Sequence, residues 1–281
     1  MSFDTRAHML DPIGATWGED VRVLSVRNRE LVRTELIHEF GNHEHERKIE
    51  DFAALGSAPW SVIDQHNAFM AQVRTAFVAG AYYPALVAAC ALGERILNEL
   101  VVRLRRHFPE HEATVDVAEQ GAISNWGACI KALVGWRVLD EQAATEFYAL
   151  SKLRHSAIHY NRRLNGVDAR DEALKAVRAL QDLISALFPP LGGPPRFIAG
   201  TSGHTFISSE AETQPFVREF VLRSCVLVSP HFEMRPTSER WFEVWDDDSY
   251  QEEFPHLTDE EFADHRNHPR RPGPSEPSAP K

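Results

Sequence analysis

Residues 82–107, YYPALVAACALGERILNELVVRLRRH, decide the fold. Tyr83, Val87, Cys90, Leu97, Val101 and Leu104 recur at steps of three and four, and Phe108 continues the stripe. That period is helical. Gly80 and Pro84 mark the start of this long helix and Pro109 ends it. Glu94 falls inside the apolar stripe.

Further helices follow outward from this one. Ser61 with Asp64 resembles a capping box, and Val62, His66, Phe69, Val73 and Phe77 share one face of the helix after it. On the C-terminal side, Ile123 to Val134 is a helix with Ile123, Trp126, Ile130 and Leu133 in phase. Asp140 opens another, running through Phe147, Leu150 and Ile158. Asp168 or Asp171 opens the last, with Leu174, Val177, Leu180, Ile184 and Leu187 in phase, and Pro189-Pro190 stops it. Residues 61–190 therefore read as an up-and-down helical bundle. Residues 1–60 read as an N-terminal helical extension. Its first 20 residues hold no period, Asn28 to Phe40 forms a helix, and a second short helix runs through Ile49 and Phe52.

The pattern changes after Gly192-Gly193-Pro194-Pro195. Phe197-Ile198, Thr205 to Ile207, Phe220 to Val228 and Trp241 to Trp245 read as strands of a small β-rich appendage over 196–250. The acidic run up to Asp264 reads as a solvated helix or loop. Residues 266–281 hold five prolines and no large apolar residue, and read as a disordered tail. The expected fold is mainly α, with a small β-containing C-terminal region.

Composition narrows the function classes. The chain has 281 residues, 43% apolar and 25% charged, which suits a packed core. No apolar run approaches the roughly 20 residues that span a bilayer. The opening Met1-Ser2-Phe3-Asp4-Thr5-Arg6 lacks the layout of a signal peptide. Cys90, Cys129 and Cys225 are an odd number without paired spacing, so a disulfide scaffold and a Cys-x-x-Cys zinc site are excluded. The expectation is a soluble, cytoplasmic, reduced protein with no membrane contact. The net charge of −11 argues against coating nucleic acid through bulk electrostatics. Residues 82–190 balance to zero while both flanks are acidic, so any nucleic-acid site is local and central.

No metal or cofactor is expected. His38-Glu39-x3-His43 has the wrong spacing for a zincin pair, and His45 with Glu44 and Glu46 reads as solvated loop. Gly-x-Ser-x-Gly, P-loop and dinucleotide fingerprints are absent. His204 and His231 are isolated in sequence, and Cys90 and Cys129 lie on apolar faces.

Two charges stand on apolar stripes. Glu94 lies on the long helix, and Arg154 is seven residues after Phe147. An unpaired buried charge is costly, so the simplest expectation is that they pair across the bundle, and that Glu94→Ala harms both fold and function. One reading is a structural pair that fixes helix register. The other adds His155 and His159, four apart on one helical face beside the arginine, with Tyr160 next. A fixed cation beside a titratable imidazole suits phosphate chemistry.

Four Arg-x4–6-His matches occur: Arg33–His38, Arg105–His111, Arg106–His111 and Arg154–His159. Pro109 interrupts the second and third, the first lies outside the bundle, and the last sits on a bundle helix. The stretch Leu153 to Tyr160 resembles the Arg-x4–6-His signature of HEPN domains. The resemblance includes the helix carrying Leu92-Gly93-Glu94-Arg95-Ile96-Leu97 and the amphipathic helix of residues 171–188. It covers about 82–188.

The resemblance implies a metal-independent endoribonuclease in which the RNA's own 2′-hydroxyl attacks, leaving 2′,3′-cyclic phosphate ends. It implies Arg154 and His159 as catalytic, Glu94 as the support of Arg154, and His155 and Tyr160 as accessory. It implies a homodimer with two motifs facing one cleft, and a toxin or antiphage-defence setting with an antitoxin or defence-system partner. A catalytically silent module that binds nucleotide or RNA, or that dimerises, is the alternative. Arg105 and Arg106 after the long helix, with Arg162 and Arg163 after the motif, are further RNA phosphate contacts on this reading. Each has a plain alternative as an offset to a helix macrodipole.

Overall fold

The computed structural model describes residues 4–14, 16–118, 125–158, 168–189, 196–201, 206–238, 241–246 and 257–268. The chain divides into two compact units, Met1–Pro190 and Leu191–Lys281. Residues 1–60 and 61–190, set apart in the sequence reading, fall in the first. That unit holds α1 (Glu19–Phe40), α2 (His45–Leu55), α3 (Asp64–Val78), α4 (Tyr82–Leu104), α5 (Trp126–Gly135), α6 (Glu141–Ile158) and α7 (Ala169–Leu187). A 3-10 turn at Arg6–Leu10 precedes them. None of the described helices is long and apolar enough to cross a membrane.

α4 is the central helix. It packs on α3, α5, α6 and α7, and Leu86, Ala89, Cys90, Leu92, Ile96, Leu97, Leu100, Val101 and Leu104 are all buried. A helix flanked on several sides needs apolar residues around most of its circumference, which is why its residues beyond the single stripe are apolar too. Pro84 lies in its first turn, where no helical N–H is required. Gly80 before it has φ +83°, a conformation that glycine adopts without a Cβ clash. α6 opens where Asp140 accepts the Ala143 N–H at 2.8 Å, and α7 opens where Asp168 accepts the Arg170 N–H at 2.9 Å.

Several details differ from the sequence reading. α1 begins at Glu19, well before Asn28. Its first half carries no one-sided apolar stripe, and Val21, Val23, Leu24 and Leu31 are exposed, so periodicity is silent there. The Ser61–Asp64 capping box does not form: the N-cap of α3 is Ile63, without a side-chain cap. Ser61 Oγ instead accepts the Ile63 N–H at 3.1 Å, and Asn67 binds the Ser61 backbone N–H and carbonyl at 2.8 and 2.9 Å. Tyr83 is 58% exposed and is not a core residue.

His66 does lie on the buried face of α3, at 3% exposure. Its Nδ1 is 3.1 Å from Ser61 Oγ, and its ring meets Phe188 edge-on. Burial, with Arg95 nearby, holds the imidazole at about 4. The unfolded chain takes up that proton near the ordinary imidazole value of 6.5, whereas the folded chain resists it down to about 4. Stability from this group is therefore complete above pH 6.5 and falls as pH drops from 6.5 to 4. Between pH 7 and 5 the wild type is expected to lose ~2 kcal/mol that His66→Gln does not lose. Urea unfolding of both proteins at the two pH values checks this, and equal losses would refute it.

The second unit is less β-rich than the sequence suggested. Phe197 and Ile207 form a single antiparallel bridge. Phe220 to Val228 is not a strand: Val217–Val221 is a π-helical turn and Leu222–Ser224 a 3-10 turn. Phe216 and Phe220, one turn apart, stack at 5.3 Å, and this packing outweighs the β propensity of the valines. After the short α8 (Ser209–Glu212), β1 (Glu233–Ser238) and β2 (Trp241–Trp245) form the antiparallel sheet. Its register breaks between Pro236 and Ser238, where proline lacks a ladder N–H. α9 (Asp259–Asn267) opens with a capping box of Thr258 and Glu261. It includes Arg266 and Asn267, which the sequence placed in the disordered tail. Residues 269–281 lie outside the described residues. Arg266 donates to the Pro230 and Phe232 carbonyls at 2.9 and 2.7 Å.

Candidate functional site

The crossing of α4 and α6 builds the site. A Cβ added at Gly93 would stand 3.0 Å from Leu150 Cδ1. Glycine thus lets the two helices approach closely at this level. Glu94 follows Gly93, and Arg154 lies one turn beyond Leu150. They meet as a two-point fork: Arg154 Nε donates to Glu94 Oε2 at 2.9 Å and Nη2 donates to Oε1 at 3.2 Å. A planar guanidinium matches a carboxylate in this geometry.

The pair expected from the sequence is present, yet it is shallower than two core-facing charges would be. The side chains are 28% and 30% exposed for Arg154 and Glu94. Water reaches both, so loss of the partner is tolerated better than in a dry core. Glu94→Ala is accordingly expected to cost about 1 kcal/mol of stability, not the 3–5 kcal/mol typical of a fully buried pair. A small shift in urea midpoint checks this; a loss above ~3 kcal/mol would contradict it.

The fork uses one edge of the guanidinium. Nη1 makes no hydrogen bond among the described residues. Below the pair, Cys90 is fully buried, its Sγ 3.9 Å from the Leu150 carbonyl oxygen, and burial pushes its thiol up to about 12. It is no nucleophile. Above the pair, Tyr83 donates its hydroxyl to the Ala157 carbonyl at 3.2 Å. That carbonyl lies close to the end of the described part of α6. Tyr83 therefore ties the start of α4 to α6, a role that reading it as an apolar stripe member could not reveal. His155 lies exposed on the same last turn. His159, Tyr160, Arg162 and Arg163 lie outside the described residues.

Arg105 and Arg106 are not part of this cluster. They follow the C-terminal end of α4, about 16 Å along the axis from Glu94 at 1.5 Å per residue. Arg105 donates to the Val117 carbonyl at 3.1 Å, and Arg106 Nε donates to His107 Nε2 at 3.4 Å. Among the described residues no group of three His, Cys, Asp or Glu side chains converges as a metal would require. His45 lies 3.0 Å from Glu46 and 3.1 Å from the Asn42 carbonyl.

A second charged cluster was not visible in the sequence. Asp51 is fully buried on α2. Its Oδ2 accepts from Arg47 Nη1 at 2.7 Å and from the Tyr82 hydroxyl at 2.8 Å, and its Oδ1 accepts from Arg170 Nε at 2.6 Å. Burial and the bond to Asp51 raise the Tyr82 phenol above its ordinary range. This carboxylate ties α2, α4 and α7 together, and the tie is structural. No family model, curated protein or solved structure matches this chain.

Proposed function

We propose that the chain is a metal-independent endoribonuclease of the HEPN type, active as a homodimer, with Arg154 and His159 as its catalytic residues. The observation that carries the proposal is the partly exposed Arg154 guanidinium, held by Glu94 along one edge with Nη1 unengaged among the described residues. Such a group is pre-oriented to receive an anionic oxygen without reorganising. His159 follows Arg154 five residues later in the sequence.

In this reading His159 takes the proton from the RNA 2′-hydroxyl, or returns one to the leaving 5′-oxygen. An imidazole suits either task near neutral pH. The 2′-oxygen attacks the adjacent phosphorus and the bond to the 5′-oxygen breaks, leaving a 2′,3′-cyclic phosphate. Arg154 stabilises the charge that gathers on the non-bridging oxygens. One motif offers one such histidine, and a symmetric partner would supply the second. A toxin or defence setting, with a cognate antitoxin, is part of the same proposal.

The test is incubation of a mixed RNA pool with the full chain in EDTA, followed by end analysis. Wild-type cleavage leaving 2′,3′-cyclic ends, absent in His159→Ala, is the expected result. RNA binding without cleavage in the wild type would favour the catalytically silent module.

A further inference from the structure

A separate feature lies at the other side of the bundle's α3. The 3-10 turn Arg6–Leu10, the end of α1, α2, the loop before α3 and α3 itself enclose a cavity of about 350 Å³. That lies within the range of small-molecule sites. Its apolar walls include Phe40, Phe52, Trp60 and Met70, and the exposed side of α3 contributes Ala68 and Ala71.

Arg74 lines this cavity and is only 6% exposed. Its guanidinium donates to the side-chain oxygen of Gln181 and, at 2.7 Å, to the Gly56 carbonyl. Both acceptors are neutral. It also stands 5.7 Å from the Phe52 ring centre. Among the described residues, no carboxylate lies within 4.0 Å of it. The Asp4 carboxylate in the same wall is engaged by Arg6, at 3.0 and 2.9 Å from its side chain and 3.1 Å from its backbone N–H. Burial lowers Arg74 to about 10, which still leaves it charged at neutral pH. A buried cation normally has a counter-ion. Here two neutral oxygens hold it within hydrogen-bond distance, the Asp4 carboxylate acts on it only from beyond 4.0 Å, and apolar walled space lies beside it.

We propose that this cavity binds a small organic monocarboxylate with an apolar body, its carboxylate on Arg74 and its body against the aromatic walls. The walls also choose the charge. Asp4, Glu39 and Asp64 line the cavity against the two guanidinia of Arg6 and Arg74. These walls are net acidic, so a polyphosphate or an oligonucleotide would be repelled more strongly than a single carboxylate seated directly on Arg74. The site is thus distinct in chemistry from the phosphate-directed Glu94–Arg154 fork, and it does not depend on that reading.

Calorimetric titration of the full chain with 1-naphthoate and with its neutral analogue 1-naphthamide tests the proposal. Naphthoate is expected to bind with a Kd below about 1 mM and at least about tenfold more tightly than the amide. Arg74→Gln is expected to erase that preference, and Arg74→Lys to retain part of it. Because Arg74 also clamps Gly56 and Gln181, a variant that leaves it intact is needed. Ala71→Trp fills the cavity from the exposed side of α3, and is expected to keep the wild-type melting temperature while losing naphthoate at least about tenfold. Absence of naphthoate binding by the wild type at millimolar concentration would overturn the proposal. So would equal affinity for acid and amide, or undiminished binding by a folded Ala71→Trp.

Discussion

Replacing Asp51 with alanine is expected to destabilise the chain by about 3 kcal/mol, the lower end of what breaking a buried ion pair costs. The carboxylate has no exposure and accepts three charge-assisted or phenolic hydrogen bonds. Its removal leaves the Tyr82 hydroxyl and two guanidinia without their anion. The cost falls at the lower end because the arginine side chains are partly wet, at 30% for Arg47 and 33% for Arg170. Arg47 keeps its bond to Glu44 at 3.0 Å. Asp51→Asn preserves the shape while removing the charge, and is expected to cost about half as much. Tyr82→Phe, which deletes the bond donated to Asp51 and the one accepted from Arg47 at 3.1 Å, is expected to cost about 1–2 kcal/mol. Urea unfolding at pH 7 ranks the three variants. A loss below about 1 kcal/mol for Asp51→Ala would mean that the cluster contributes no more than a surface pair.

The contrast between Asp51 and Glu94 shows what the sequence can and cannot carry. Glu94 interrupts an apolar stripe, and Arg154 sits near another, so their pairing was legible. Their depth was not, because a stripe gives direction and not distance from water. Gly93 brings α4 and α6 together through the absence of a side chain, which no periodicity records. For Asp51 the local partner Arg47 is one turn away and was readable in principle. Arg170 is 119 residues distant and only the packing of α2 against α7 delivers it. The cavity beside Arg74 has the same origin: its walls come from the 3-10 turn, α1, α2 and α3, and no single segment announces it. The long helix and the amphipathic α7 were legible for the opposite reason, since a helix that buries a regular face writes that face into its own sequence. Phe220 to Val228 misled because β-branched residues suggest a strand, while the Phe216–Phe220 contact that fixes the helical turn depends on tertiary packing.

His159→Ala is expected to lower RNA cleavage by about 10²–10⁴-fold, the range of a lost general acid or base. Arg154→Ala is expected to lower it by about 10²–10³-fold, the range of a lost electrostatic stabiliser. The more discriminating variant is Arg154→Lys. Lysine keeps the charge but cannot grip Glu94 at two points and still offer a fixed second edge. It is expected to recover binding of the RNA while recovering little of kcat. Glu94→Gln retains the side-chain shape and one acceptor, so its effect is expected to be about tenfold and to fall on kcat more than on KM. A merely structural pair predicts otherwise. Cleavage would then follow stability, and Glu94→Gln and Arg154→Ala would reduce activity only as far as they reduce the folded fraction. Measuring unfolding free energy and single-turnover cleavage on the same preparations separates the two. The partly exposed setting of the fork makes that separation sharp: the expected stability loss on removing Glu94 is small, so a large fall in kcat in a fully folded variant points to the misplacement of Arg154.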